Sequence, residues 1–319
     1  MAGQANFVIQ PYLTSIALAY KNSKLIADDV LPRSTVERQV FKYNAYAKGD
    51  AFTVPNTYVG RTSAPRQLDW SATETTSATR DYALDHAIPA ADLLNTQGDP
   101  STPIDPRARS TELLTDLIAL DREVRVANLV FNTASYASYI TLTSNGSSGG
   151  YQFNDYTNSD PIATIMGQLD TMIMRANVMV IGRLAWTKLI SHPKLVKAFY
   201  GNAADAGIVT KSFIANLFEL DDILVGESWV NSAKPGQTVS LTRVWGKHIA
   251  LLYRNPMAVN SPGAITFGQT FQWGPRIAGT VDNDPSIGMR GGSLVRVGES
   301  VKELVLANDC GIMIQNAVA

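Results

Sequence analysis

The chain has 319 residues, 45% of them apolar, which is enough for one large or two modest domains with a sizeable core. A formal net charge of −1, a pI near 6.3 and the lack of any long run of Lys or Arg exclude a dedicated nucleic-acid-binding stripe. A single cysteine, Cys310, excludes an internal disulfide, its spacing to the three histidines does not suit zinc, and no apolar run approaches the ~20 residues that span a bilayer.

Residues 1–45 read as an N-terminal arm, too poor in periodic apolar positions to bury a core of its own and carrying one short helix over 11–20. Residues 46–88 read as an extended hairpin, with β-branched and aromatic residues on its legs and Gly and Pro in its turn at 60–66. The legs are expected to draw on 51–55 and 58–59 on one side and on Leu68, Tyr82 and Leu84 on the other, beginning as early as Tyr43. Such a hairpin is marginal alone in water and needs a surface to lie on. Trp70 stands in its polar part, where an aromatic has no local core, as an interface anchor would. With Phe52, Tyr58, Arg61 and Arg66 it makes up the candidate intersubunit contacts.

Residues 89–159 form the next unit, built on a long helix over about 106–132. Asp105 can cap it while Pro106 takes the first helical position, where a missing N–H is harmless. Leu113, Leu117, Leu120, Val124, Ala127 and Phe131 recur at spacings of four and three, with Leu114 and Ile118 beside them, and predict the buried stripe. Asp121 and Arg125 are an i,i+4 pair on another face. At 1.5 Å per residue the helix is about 40 Å long, which suits a flat, elongated subunit.

Residues 160–255 are the clearest folding unit. Asp160-Pro161 opens a helix carrying Ile165 and Leu169; a strand follows over 178–181, stopped at Gly182, and then two short helices split at Pro193. A third helix around Phe213 and Leu217 leads to a strand over 223–225 ended by Gly226, and strands over 238–244 and 248–253 close the unit. Residues 256–319 read as short return strands punctuated by Gly and Pro, with a C-terminal segment.

No catalytic, cofactor-binding or metal site emerges. Gly146-Ser147-Ser148-Gly149-Gly150 matches the nucleophile-elbow pattern, yet it lies in a Gly/Ser loop and not on a strand-to-helix turn. Asp282-Asn283-Asp284 resembles the start of a calcium loop, but Pro285 and Ile287 stiffen it and Ser293 stands where the bidentate Glu belongs. His86, His192 and His248 occupy three unrelated contexts without a visible partner. The pairs Asp28-Asp29 and Asp221-Asp222 point apart on any regular element, and 288–292 lacks the Lys-Ser/Thr of a phosphate loop.

In this order, the residues resemble the tailed-bacteriophage major capsid proteins with the Hong Kong 97-type fold. The likeness rests on Val178-Met179-Val180 before Trp186 and Leu189-Ile190-Ser191-His192-Pro193, and on the helix-to-strand passage from Leu217 to Val225. It also rests on Val244-Trp245-Gly246 before Leu251-Leu252-Tyr253, and on the ending from Arg290-Gly291-Gly292 through Val305. The family has no short diagnostic motif, and the agreement is one of order over nearly the whole chain. The resemblance implies an α+β fold with an arm, an extended loop, a long spine helix, a peripheral domain and an axial α/β domain. It implies pentamers and hexamers that close an icosahedral shell around packaged double-stranded DNA, touched without specificity. It further implies a portal protein, a separate scaffolding protein, a decoration protein as an optional partner, no membrane, and assembly in the bacterial host cytoplasm. An encapsulin-like nanocompartment shell, an α/β hydrolase using Ser148 and a monomeric binding module are the alternatives.

Overall fold

The computed structural model describes residues 7–19, 24–46, 54–65, 67, 72–96, 105–201, 206–234, 236–259 and 265–319, with backbone alone at 44–46, 72–73 and 258–259. The N-terminal segment contributes β1 (Val8–Ile9), α1 (Pro11–Ala19), α2 (Ala27–Val30) and β2 (Arg33–Val36). A ribbon of β3 (Val40–Tyr46) and β4 (Ala72–Ala78) follows, paired antiparallel from Val40↔Ala78 to Tyr46↔Ala72. After Thr79, whose N–H bonds to the Gln39 carbonyl at 2.9 Å, the chain enters β5 (Arg80–Pro89) and α3 (Ala90–Thr96). The long helix α4 spans Pro106–Val130, with the Asp105 side chain accepting from the Arg107 N–H at 2.9 Å.

The middle of the chain gives β6 (Tyr139–Thr141), α5 (Pro161–Thr171), β7 (Val178–Gly182), α6 (Arg183–Ile190), α7 (Pro193–Tyr200), α8 (Lys211–Phe218) and β8 (Asp222–Gly226). A small ribbon of β9 (Trp229–Asn231) and β10 (Leu241–Arg243) precedes β11 (Ile249–Leu252). The chain ends with β12 (Gly268–Trp273), β13 (Ile277–Asp284), β14 (Gly292–Val305) and β15 (Gly311–Gln315).

Two main sheets result. The first is organised by β14. One edge pairs with β12 and then β13, and the other pairs with β5 from Gly292↔Pro89 to Val301↔Arg80. β1 adds to β13, and β2 adds in parallel to β12. The second sheet runs β6-β15-β11-β7-β8. Its central strands β7, β11 and β15 are buried on both faces and so read as continuous apolar runs. Met179, Ile181, Ile223 and Leu251 face a core completed by Ile165, Leu169, Trp186, Leu189 and Phe218 from the helices. Val178, Val180, Leu224 and Leu252 face the opposite core, with Val126, Val130, Trp245 and Phe267.

Gly182 and Gly226 end β7 and β8 as a register pair. A Cβ at Gly226 would collide with the Trp245 ring, and one at Gly182 with the Gly246 carbonyl. The glycines anticipated as strand stops therefore admit a close crossing of the chain.

Several expectations change. The first residues are no free arm where they are described: β1, α1 and β2 are built into the first sheet and its core, and Leu13 is 1% exposed against Ile88, Leu114, Ile118, Val295 and Val297. The strands that pair with β1 and β2 lie more than 200 residues away, beyond the reach of local periodicity. Among the described residues the hairpin legs are β3 and β4, the second of them inside the expected span; residues 54–59 form no strand, and β5, which carries Tyr82 and Leu84, leaves the hairpin to pair with β14. The sheet within 160–255 also recruits β6 and β15 from outside that span, while β10 pairs with β9 and not with the sheet.

The long helix buries a face rotated from the one expected: Leu114, Ile118 and Ala127 are inside as anticipated, but the stripe is not centred on Leu113 and Leu117. Leu113 and Leu117 are 59% and 53% exposed, whereas Ser110, Thr111, Leu114, Thr115, Ile118, Arg122, Glu123, Val126, Ala127 and Val130 are buried. Small hydroxyls can be buried there because each bonds back into the helix: Ser110 to the Pro106 carbonyl at 2.7 Å, Thr111 to Arg107 at 2.9 Å and Thr115 to Thr111 at 2.7 Å.

The burial of α1 has a measurable consequence. Leu13→Ala is expected to lower folding stability by about 2–5 kcal/mol in a urea titration, through lost transfer energy and the cavity left behind. An unchanged midpoint would mean that the segment behaves as a detached arm.

Candidate functional site

The ribbon of β3 and β4 has an anchored base. The Phe41 ring lies 4.6 Å from the Phe271 ring on β12, and Tyr43 stacks on the same ring at 6.5 Å. Lys42 and Glu74 form an exposed cross-strand pair at 2.6 Å. Beyond it, residues 54–65 carry Val54, Tyr58 and Val59 outward, with Tyr58 84% exposed and Arg61 also exposed. A turn closed by the Ser63 N–H on the Gly60 carbonyl, at 3.0 Å, shapes this stretch. Of the five candidate contacts, Tyr58 and Arg61 thus lie on one exposed segment, while Phe52, Arg66 and Trp70 lie outside the described residues.

At the junction of the N-terminal segment, α4, β12 and β14 lies a charged assembly that periodicity did not reveal. Arg122, 2% exposed, pairs with Asp28, donates to the Thr270 hydroxyl at 3.0 Å and lies 3.9 Å from Glu303. Arg33 bridges Asp28 at 2.7 Å and Glu299 at 2.9 Å; Arg276 holds Glu299 at 2.9 Å and donates to the Ala17 carbonyl at 3.0 Å. The expected Asp121–Arg125 pair is present, and Arg125 continues to Glu303 at 3.0 Å and over the Tyr82 ring. Burial raises the Glu299 pKa, but Arg33, Arg276 and Arg122 outweigh it and hold the carboxyl below its ordinary value.

Glu123 is fully buried and accepts four hydrogen bonds. They come from the Ile26 N–H at 3.1 Å, the Ala27 N–H at 2.8 Å, the Ser228 hydroxyl at 3.3 Å and the Trp245 indole N–H. Burial raises its pKa above the usual carboxyl value, against the pull of these donors. The one hint in the sequence is an Arg-Glu pair inside a helix where a continuous apolar stripe was expected.

The candidate chemical groups are dispersed. Ser148 sits exposed in its loop, and among the described residues no imidazole or carboxylate bonds to it. No cluster of three potential metal ligands occurs among the described residues, and no helix there is long and apolar enough to cross a membrane. Asp282 holds Arg107 at 2.8 Å and Ser293 at 2.6 Å, which makes it a structural clamp. His86 bonds to Ser110, and His248 accepts from the Asn316 N–H at 3.0 Å.

His192 is buried at the N-terminus of α7. Its Nδ1 accepts from the Lys194 N–H at 3.2 Å, so its Nε2 donates to the Ser159 hydroxyl at 2.9 Å. Burial, aided by Lys194 and opposed by Asp160, lowers its pKa to about 4. The unfolded chain binds this proton near the ordinary 6.5 and the folded chain does not until about 4, so the stability it confers is complete above pH 6.5 and is lost as pH falls towards 4. His192→Asn keeps a capping acceptor and removes the titration. It should flatten that part of the stability profile in denaturant titrations across this range; an identical slope would show that His192 is not the group responsible.

No family model matches the chain. A crystal structure of a phage-related protein from Bordetella bronchiseptica RB50 shares the fold at a TM-score of 0.75, with 22% identity and 98% of each chain covered. The capsid structure of the cyanophage P-SCSP1u aligns at a TM-score of 0.59 with 11% identity, over 99% of this chain and 91% of that one. The major capsid protein of Pseudomonas phage JBD67 is 48% identical over 315 residues, 99% of each chain. At that identity over nearly its whole length, and with a mixed helix-and-sheet structure matching phage capsid folds, the chain belongs to the bacteriophage major capsid proteins, a shell-forming structural family and not an enzyme family.

Proposed function

We infer that this chain is the repeating subunit of a tailed-phage head, arranged in pentamers and hexamers that close an icosahedral shell around double-stranded DNA. In this reading α4 is the spine helix, the β14-centred sheet belongs to the peripheral domain, and the β7–β11 sheet with its helices is the axial domain. The ribbon of β3 and β4 is the extended loop that lies on a neighbour. The observation that carries the reading is that ribbon: its base is fixed by Phe41 and Tyr43 on Phe271, while Tyr58 and Arg61 stand exposed beyond it. A two-stranded ribbon needs a surface for its outer part, and identical copies supply one at every position of a closed shell.

The charge balance supports a container more than a grip on its contents. A lining rich in Lys and Arg would bind phosphates strongly and without specificity, and the chain carries 27 basic against 28 acidic residues. DNA contact is therefore weak and non-specific. A portal protein, a scaffolding protein and, optionally, a decoration protein complete the proposed partners, with assembly in the host cytoplasm. The 48% identity to a phage capsid protein favours this reading over a nanocompartment that encloses protein; DNA in purified particles would separate the two.

The exposed contacts test the subunit reading. Tyr58→Ala with Arg61→Ala, and separately Trp70→Ala, should leave the circular dichroism spectrum unchanged. Each should weaken neighbour contact by about 1–2 kcal/mol, an effect multiplied over every subunit of a shell. Electron microscopy should then show few closed particles. Wild-type yields of closed particles would remove the ribbon from the interface, and a wild-type chain that stays monomeric at high concentration would end the shell reading.

A further inference from the structure

β5 is an open edge of the first sheet. Its 10 residues pair without a break to β14, and among the described residues no strand pairs with its other side. Edge strands are commonly blunted by lysines, bulges or an internal proline. β5 has no lysine and no bulge, and its proline is its last residue, Pro89. Its even-numbered residues face α4: Tyr82 lies under the Arg125 guanidinium, His86 bonds to Ser110, and Ile88 packs with Leu114 and Ile118. α1 packs on α4 from the β13 side, where the Thr14 hydroxyl donates to the Ala278 carbonyl at 2.9 Å. The β5 side of α4 is therefore the outward one. Leu113 and Leu117 follow Ser110 at spacings of three and four on that flank. With Leu84, which is 40% exposed, they leave an apolar strip along the open edge.

We propose that this edge pairs with β5 of a second copy, antiparallel, about a two-fold axis at Leu84. A two-fold axis perpendicular to the sheet sets each residue opposite one on the same face, so even-numbered residues meet even-numbered ones. With the axis at Leu84, that side chain faces its own copy, Tyr82 faces His86 of the second copy, Ala83 faces Asp85 and Asp81 faces Ala87. Moving the axis to Ala83 sets Asp81 opposite Asp85, and moving it to Asp85 sets that carboxylate opposite itself. Like charges directly opposite are destabilising, so the charge pattern selects the Leu84 register over either neighbour. Asp85 already holds Arg296 at 2.6 Å and Asp81 accepts from the Ser300 hydroxyl, so neither enters the seam as a bare carboxylate. The leucine strips of the two α4 helices then lie on one face of the joined sheet, on either side of the axis. Such a contact is complete at two copies and leaves no edge on which a filament could grow. Contacts around a pentamer or hexamer run head to tail, so a two-fold seam joins one capsomer to the next. That placement rests on the shell reading; the pairing itself does not.

Leu84→Cys tests the pairing, because residues directly opposite in an antiparallel pair have Cα atoms about 4.5–5.5 Å apart, within reach of a disulfide. The native Cys310 is buried and stays out of the reaction. In purified particles treated with a mild oxidant, most Leu84→Cys chains should run as dimers on a non-reducing gel. Ala83→Cys, whose side chain points to the other face and meets Asp85, should give at least about tenfold fewer dimers. In wild-type chains, amide hydrogen exchange along β5 should be at least about tenfold slower in particles than in unassembled subunits, because its outward N–H groups become bonded. Equal cross-linking of the two cysteines, monomers from both, or unchanged exchange each overturns the proposal. Dimers that form only when Leu84→Cys is combined with Tyr58→Cys give the edge to another copy's ribbon and overturn it as well. If Leu84→Cys does not fold, the exchange measurement decides. If the wild-type chain forms no particles, the shell reading fails; a Leu84→Cys disulfide between chains at high concentration then keeps the pairing, and its absence ends it.

Discussion

A guanidinium with 2% of its surface exposed sets terms for everything around it. Removing Arg122 from water is expensive, and only well-placed carboxylates and hydroxyls offset the loss of hydration. Burial and the neighbouring Arg33 lower its pKa, while Asp28 and Glu299 support the charged form. Asp28 in turn is held below the ordinary carboxyl range: burial pushes it up, and Arg122 and Arg33 pull it further down. Because Asp28 belongs to the N-terminal segment, Thr270 to β12 and Glu303 to β14, satisfying one side chain on α4 brings three distant stretches of chain together.

The same constraint explains the orientation of α4. If apolar content alone decided, Leu113 and Leu117 would face inward. The hydroxyls of Ser110, Thr111 and Thr115 carry little desolvation penalty once bonded to the preceding turn, and Arg122 and Glu123 find partners only on the inner face. The helix therefore turns its polar-looking side to the core and leaves two leucines on the surface. A periodic apolar pattern locates a helix well; it identifies the buried face only when the polar residues have no internal partner.

What could be read from the sequence follows from how local each interaction is. The α5 to β8 stretch was legible because its signals are local. Asp160 caps α5 by accepting from the Ala163 N–H at 3.1 Å, His192 caps α7 ahead of Pro193, and the strands are unbroken apolar runs. The β14-centred sheet was not. Arg296 meets Asp85 across 211 residues, and β2 joins β12 in parallel with no turn to announce it. Of the site, the exposed ribbon residues Tyr58 and Arg61 could be named from composition. Arg122 and Glu123 could not, because two charges in a helix look like a solvated face until their partners are known.

The ribbon and the buried charges meet on one strand. Thr270, which receives the Arg122 guanidinium, is followed by Phe271, whose ring carries Phe41 and Tyr43 at the foot of the ribbon. Thr270 also donates to the Leu31 carbonyl at 3.1 Å, so the N-terminal segment bears on the same point. Successive residues of a strand point to opposite faces, which places the charged contact on one side of β12 and the aromatic contact on the other. The direction in which the ribbon leaves the subunit is thus coupled to β12, and β12 to the Arg122 and Asp28 pair. The foot of the ribbon and the Arg122–Asp28 pair thus bear on consecutive residues of one strand, so a change at either is felt at β12.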